Sequence, residues 1–506
     1  MAKNNTANPQ TSLKHEIKAI CNIMRRSNCS GAMQYVPELT WLLFLRILDA
    51  REEGEGETSR ILRRHFEPAL SEPYRWRDWA GKNGEKRREL ADGKLGAYFE
   101  FVNEALIPHL KSLKDMPGAS PRQKVISLIL SGVERTRIDT EKNMMDVLDR
   151  VDGISADNID DTHVFAISQV YEELLLKMGD KKNDGGQFFT PREVIRAIVK
   201  ATDPKPGESV YDPCCGTGGF LVQAYIHLLN AAKSKGAEAI ERLKHNTLFG
   251  REKEKDIYPI TLANLILHGI ERPSVWYGNT LTGNEIYGGL FEGAPGRFDV
   301  ILTNPPFGGK EGKEAQTNFA YKTGATQILF LQHVMDALKP GGRCGIVLDE
   351  GVLFRTNEKA WVQTKRKLLD DCNLHTIVSL PAGVFVAAGG SPKTNILFFE
   401  KGSRTEKIWY YDLSDIKVGK RSMLTLDKFD GFFELLPDRA DSERSWSVDR
   451  QSIEAGGFDL KAVNPNRITE QDTRTPGELI ATIEEEQKTM MSGLAELKKV
   501  TVGGKG

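Results

Sequence analysis

The sequence predicts an α/β chain: a doubly wound, mainly parallel sheet, with a helical N-terminal domain before it and a helical C-terminal tail after it. Three observations carry this. From about residue 185, short β-branched runs alternate with helical stretches. Before that point, apolar residues recur at helical spacing. At the far end, Thr475-Pro476-Gly477-Glu478 reads as a capping box that opens one more helix. The 506 residues exceed one ordinary core, so domains are expected over 1–160, 161–430 and 431–506.

In the first of these, Pro37 stands where a first helical turn would start, and ELTWLLFLRILDAREE follows. KLGAYFEFVNEALIPHL is another helical segment. The most apolar run, Trp41 to Leu48, is short and carries Arg46, so it reads as a buried helix and not a membrane span. Arg63, Arg64, Lys82, Lys86, Arg87 and Arg88 form basic clusters, read either as a solvated surface or as a phosphate-contacting patch. In the tail, Ile480, Ile483, Met490, Leu494 and Leu497 follow a 3-4 spacing, with Gln487 filling the gap. Such a stripe packs on its own domain or on a partner subunit.

In the middle of the chain the strand candidates are SVYDP, NTLFGRE, VWYG, FDVILTNPPF, RCGIVLDEG, HTIVSLPAG and KTNILFFEK. Helical stretches such as GGFLVQAYIHLLNAA, IYPITLANLILHG and TQILFLQHVMDAL lie between them. Ligands on such sheets bind at the carboxyl ends of the strands. The informative motifs fall at those ends or at the helix starts beside them.

Charge and cysteine usage narrow the function classes. Lys and Arg total 69 against 70 Asp and Glu, a net charge of −1, so no global positive field draws the chain to a polyanion. DNA binding would run through local patches or a partner. The cysteines, Cys21, Cys29, Cys214, Cys215, Cys344 and Cys372, form no CxxC pair and have no His cluster beside them, so no metal site is expected. Their low density suits a reducing cytoplasm. The polar start MAKNNTANPQ lacks the apolar core of an export signal.

Asp212-Pro213-Cys214-Cys215-Gly216-Thr217-Gly218-Gly219-Phe220 follows a strand and precedes a helix. Its glycines allow a tight turn and close approach of a ligand to the backbone. Position 221 is Leu where a dinucleotide fingerprint needs glycine, and no GK[ST] follows a phosphate loop. The spacing resembles the D-x-x-x-G-x-G loop of S-adenosylmethionine methyltransferases. Glu252 ends the next strand candidate, where a carboxylate accepts hydrogen bonds from ribose hydroxyls; Glu254 is its rival. Asn279, after VWYG, is a further cofactor or adenine contact. Upstream, in Gln187-Phe188-Phe189-Thr190-Pro191-Arg192, Thr190 is expected to cap a helix, with Pro191 in its first position and Glu193 completing a capping box.

The tetrad Asn304-Pro305-Pro306-Phe307 ends the buried-strand pattern FDVILT. Its residue types suit methyl transfer to a planar amino group. Adenine N6 is a poor nucleophile because its lone pair is delocalised into the ring. Two acceptors, the Asn304 side-chain oxygen and the Pro305 carbonyl, can hold the amino hydrogens and favour a more tetrahedral nitrogen. Proline fixes φ, so the carbonyl direction is set beforehand. Phe307 offers a flat face for stacking on a flipped-out base.

FFTPR, DPCCGTGGF, FGRE and NPPF in this order, with LKPGGRCGIVLDEGVLF and SLPAGVF before KTNILFF, resemble the modification (M) subunit of type I restriction–modification systems. The resemblance covers roughly residues 160 to 405 closely. It implies an adenine-N6 DNA methyltransferase using S-adenosylmethionine. It also implies a specificity subunit that reads DNA, two modification subunits to each, and a motor-nuclease subunit in some systems. Carried onto this chain, Gln187, Phe188, Phe189, Thr190, Pro191, Arg192, Asp212, Gly216, Thr217, Gly218, Gly219, Glu252 and Asn279 hold the cofactor. Asn304, Pro305, Pro306 and Phe307 do the chemistry, and Phe385 in PAGVF is a second stacking face. The rival expectations are a self-sufficient DNA methyltransferase and an NPP-motif enzyme acting on RNA or protein.

Overall fold

A computed structural model describes residues 9–27, 29, 32–153, 190–270, 272–385, 392–419, 422–466 and 475–502. Its strands are β1 (Val210–Asp212), β2 (Leu248–Glu252), β3 (Ser274–Asn279), β4 (Asn284–Tyr287), β5 (Phe298–Thr303), β6 (Leu338–Asp349), β7 (Cys372–Ser379), β8 (Thr394–Lys401), β9 (Lys407–Asp412) and β10 (Ser445–Asp449). They form one sheet in the order β10-β9-β7-β8-β6-β5-β1-β2-β3-β4. The centre, from β3 through β2, β1 and β5 to β6, is parallel. β7 and β9 are also parallel to each other. β8 runs antiparallel between β6 and β7, and β4 and β10 are antiparallel edges.

This is the mainly parallel, doubly wound sheet expected, and the reason is visible in the strands. In β5, FDVILT is buried at every position except Asp299, as a strand covered on both faces requires. Three strands escaped the sequence pattern. β4 is NEIY, mostly exposed at the edge. β9 and β10, KIWYYD and SWSVD, lie beyond the repeating βα rhythm.

The N-terminal part is helical, with long helices over Pro9–Arg26, Ala32–Ile61 and Glu141–Asp152. Trp41, Leu42, Leu43, Phe44, Leu45, Ile47 and Leu48 are buried, as their apolar run predicts. Pro37 corrects one expectation: it lies inside the helix Ala32–Ile61 and does not start it. Burial of Tyr35, Val36, Leu39 and Trp41 around it outweighs the backbone bond that proline removes. Arg87 also leaves the basic surface group, because it is buried and bonds Asp149 (2.5 Å) and the Ala80 carbonyl (2.6 Å).

Arg51 adds a polar tie where the Ala32–Ile61 helix packs on the sheet domain. Arg51 donates to the Ile266 carbonyl (2.7 Å) and the Leu267 carbonyl (3.1 Å). These are the last carbonyls of the helix Tyr258–Leu267, where a cation suits the helix dipole.

The tail helix Pro476–Val502 lies in a separate unit, Pro465–Gly506. Its capping box forms: the Glu478 N–H donates to Thr475 Oγ1 (3.3 Å) and the Thr475 N–H to Glu478 Oε2 (2.6 Å). Ile480, Ile483, Met490 and Leu494 are exposed. Among the described residues, no helix is long and apolar enough to cross a membrane, and no metal-binding group of His, Cys, Asp or Glu occurs.

Candidate active site

β1 and β5 are parallel neighbours, so the glycine-rich turn after β1 and the tetrad after β5 emerge side by side. Asp212, the last residue of β1, joins them. Its Oδ1 accepts from the Thr303 hydroxyl (2.7 Å) and from the Cys214 N–H (3.2 Å). Thr303 directly precedes Asn304, and Cys214 begins the turn. Burial raises the Asp212 carboxyl to about 7, with these hydrogen bonds opposing the rise.

The turn is held from below. Gly218 has φ of +82°, which favours glycine, and a Cβ there would come within 3.4 Å of Leu265 and Thr261. The Thr261 hydroxyl donates to the Gly216 carbonyl, and Asn264 Nδ2 donates to the Thr217 carbonyl (2.8 Å). Sequence reading missed both residues. Their signal was present: Thr261, Asn264 and His268 are polar at helical spacing in the otherwise apolar IYPITLANLILHG.

Glu252 ends β2 and is buried beneath the same turn. Its Oε2 accepts the Gly216 N–H (2.9 Å) and its Oε1 the Glu254 N–H (2.7 Å). The rival Glu254 is half-buried and its side chain pairs with Lys253, so Glu252 is the carboxylate joined to the turn. Burial pushes Glu252 up to about 7. Asn279 ends β3, and its Oδ1 accepts the Leu281 N–H (3.0 Å) in its own turn. Thr280 then donates to the Pro213 carbonyl (2.6 Å), which brings this turn against the glycine segment.

The titration of Glu252 gives a prediction with a fixed sign. Between its ordinary value of 4.5 and about 7, the folded protein keeps a proton that the unfolded chain has lost. Stability therefore falls as pH rises through this window and levels off above it. His268, His333 and His375, lowered by desolvation to about 4, 3 and 3, titrate in the opposite sense. Comparison with Glu252→Gln cancels them. The wild type should lose roughly 2–3 kcal/mol relative to the variant between about pH 5 and about pH 8. Urea unfolding of both proteins reads this, and a difference that stays flat with pH refutes the buried, proton-holding carboxyl.

At the tetrad, Asn304 Nδ2 donates to Thr190 Oγ1 (2.9 Å). Asn304 Oδ1 is shielded from solvent and has no hydrogen-bond partner among the described residues. An orphaned acceptor of this kind costs about 1–3 kcal/mol, so a ligand that donates to it is the natural complement. The Pro305 carbonyl accepts from Gln327 Nε2 at a long 3.4 Å, which leaves a second lone pair. Phe307 is half-buried and meets Phe385 edge to face, with ring centroids 5.2 Å apart at 76°. Phe385 is 1% exposed, so it braces Phe307 and presents no open face of its own.

The Thr190 capping box does not form. The helix runs Arg192–Thr202, with Pro191 just before it and no side-chain cap. The Thr190 hydroxyl is engaged with Asn304, and Glu193 turns to Arg196 (3.1 Å) instead. Gln187, Phe188 and Phe189 lie outside the described residues.

Comparison with known proteins agrees with this arrangement. The family model described as N-6 DNA Methylase matches residues 161–474, and the one described as HsdM N-terminal domain matches 13–148. The chain is 34% identical over 510 residues to the methylase subunit of the type I restriction enzyme EcoEI from Escherichia coli, covering 96% of each. A modification subunit of a type I restriction enzyme from Vibrio vulnificus YJ016 superposes with a TM-score of 0.76 at 33% identity, over 90% of this chain and 97% of that one. A chain from a study of assembly and conformational transition in the type I system gives a TM-score of 0.74 at 38% identity, over 98% and 99%.

Proposed function

The chain belongs to the N-6 DNA methylase family as a methylase subunit of type I restriction–modification systems, an adenine-N6 DNA methyltransferase, and on that premise we propose which of its residues act and with what partners. The observation that carries the proposal is the orphaned Oδ1 of Asn304 at the end of β5, beside the glycine turn. Asn304 Oδ1 and the Pro305 carbonyl accept the two amino hydrogens of a flipped-out adenine. Pro305 and Pro306 stiffen the turn that aims them. Phe307, braced by Phe385, stacks on the base.

The cofactor is S-adenosylmethionine. The donor set fits it: a turn bare of bulky side chains at Gly216, Thr217, Gly218 and Gly219, and a buried carboxylate at the end of the next strand. Asp212, Glu252 and Asn279 line its place on the sheet, and the sequence resemblance adds Gln187 to Arg192 to this set. When bound, it supplies an electrophilic methyl group on a sulfonium sulfur.

The partners are DNA, a specificity subunit bound by two copies of this chain, and a motor-nuclease subunit. We assign residues 1–160 to the helical domain, 161–430 to the methyltransferase domain, whose sheet β10 extends, and the tail helix of 431–506 to partner binding. The exposed Ile480, Ile483, Met490 and Leu494 supply its apolar stripe.

The test is transfer of a tritiated methyl group. With a specificity subunit and DNA, label should appear as N6-methyladenine at one bipartite sequence. The chain alone should leave DNA near background. Label confined to RNA or protein would overturn the reading, and site-specific methylation by the single chain would remove the partner from it.

A further inference from the structure

We propose that Thr190 and Gln327 are positioning residues for the transfer step, one for each acceptor. The inference rests on the assignment of Asn304 and Pro305 above.

The amide of Asn304 is planar, so a bond at Nδ2 also sets the direction of Oδ1. Thr190 makes that bond at 2.9 Å, from 114 residues away in sequence. Without it, the amide turns about its last side-chain torsion, which has a broad and roughly two-fold energy profile. Each turn of about 180° would aim the NH2 group, and not the oxygen, at an incoming amine. Thr190 thus holds the acceptor before substrate arrives.

Gln327 does the same for the second acceptor. It is buried, in the first turn of the helix Thr326–Ala337. Its Oε1 accepts the backbone N–H of Asp349 (3.2 Å). A backbone N–H can only donate, so the orientation of the Gln327 amide is fixed and Nε2 must face the Pro305 carbonyl. The loop after the tetrad presses on the same helix. The Thr326 N–H donates to the Gly309 carbonyl (3.1 Å), and a Cβ on Gly309 would fall 2.5 Å from Thr326 Oγ1. The tetrad is therefore gripped from two sides, by the Thr190 segment and by the start of this helix.

The alternative for Thr190 is a cofactor contact, as the sequence resemblance implies, and the two roles separate experimentally. In the complex with specificity subunit and DNA, Thr190→Val should slow single-turnover methyl transfer about 10- to 100-fold, while the cofactor Kd stays within about 3-fold. Thr190→Ser restores the hydroxyl and should return the rate to within about 5-fold of wild type. Gln327→Met removes the second tether and should show the same split between rate and Kd. If Thr190→Val does not fold, Thr190→Ala carries the same expectation with less bulk.

An unchanged rate in the Thr190 or Gln327 variants overturns the proposal. So does a Kd that rises by the factor by which the rate falls, or a serine variant no better than valine. The wild-type complex is the separate control. Absence of N6-methyladenine there would mean that the assigned reaction is wrong, whatever the variants do.

Discussion

Asn304→Ala is expected to lower the methyl-transfer rate at least about 1000-fold while cofactor affinity stays within about 3-fold. Oδ1 is an acceptor aimed at charge that develops on the substrate amine only during reaction, so its loss falls on the rate. The variant gives up the Nδ2 bond to Thr190, but Oδ1 has no partner to lose among the described residues, so stability should stay within about 1 kcal/mol of wild type. Removing a shielded, unsatisfied acceptor relieves part of a desolvation cost. The measurement is single-turnover transfer beside calorimetric cofactor titration and urea unfolding. Equal loss of transfer and cofactor binding, or clear destabilisation, would make Asn304 a structural residue.

Asp212→Ala should have the largest effect on stability. Two donors, the Thr303 hydroxyl and the Cys214 N–H, lose their shared acceptor in a buried place. The hydroxyl has a fallback in Cys214 Sγ, 3.1 Å away, but the backbone N–H does not. The expected loss is about 2–4 kcal/mol in urea unfolding. Cofactor binding and transfer should fall together, since the glycine turn and the tetrad share this one carboxyl. That pattern contrasts with Asn304→Ala, which should spare binding. An Asp212→Ala protein of wild-type stability would mean that the two loops are held apart by other contacts.

Much of this site was legible in the sequence, because its motifs sit at strand ends and strand ends follow from apolar pattern. The β1 turn, Glu252 and the tetrad are where pattern placed them. Occupancy was not legible. Thr190 before a proline is a good helix start, and its bond to a side chain 114 residues away has no local trace. Phe385 reads as a free aromatic until a neighbouring ring and its burial are known. Pro37 reads as a helix start because propensity is local, whereas the burial that overrides it is not. β4 escaped because an exposed edge strand needs no apolar alternation.

The Arg51 clamp gives the first part of the chain leverage over the chemistry. One guanidinium grips the end of the helix whose Thr261 and Asn264 carry the glycine turn. A force that shifts the Ala32–Ile61 helix would reach the glycine turn through Arg51 and through the packing of this helix on Tyr258–Leu267. Linkage makes such a coupling work in both directions. With the cofactor at that turn as proposed, whatever moves Arg51 would change cofactor affinity, and a bound cofactor would change the strength of that grip by the same factor. Assembly and cofactor loading would then be two readings of one equilibrium.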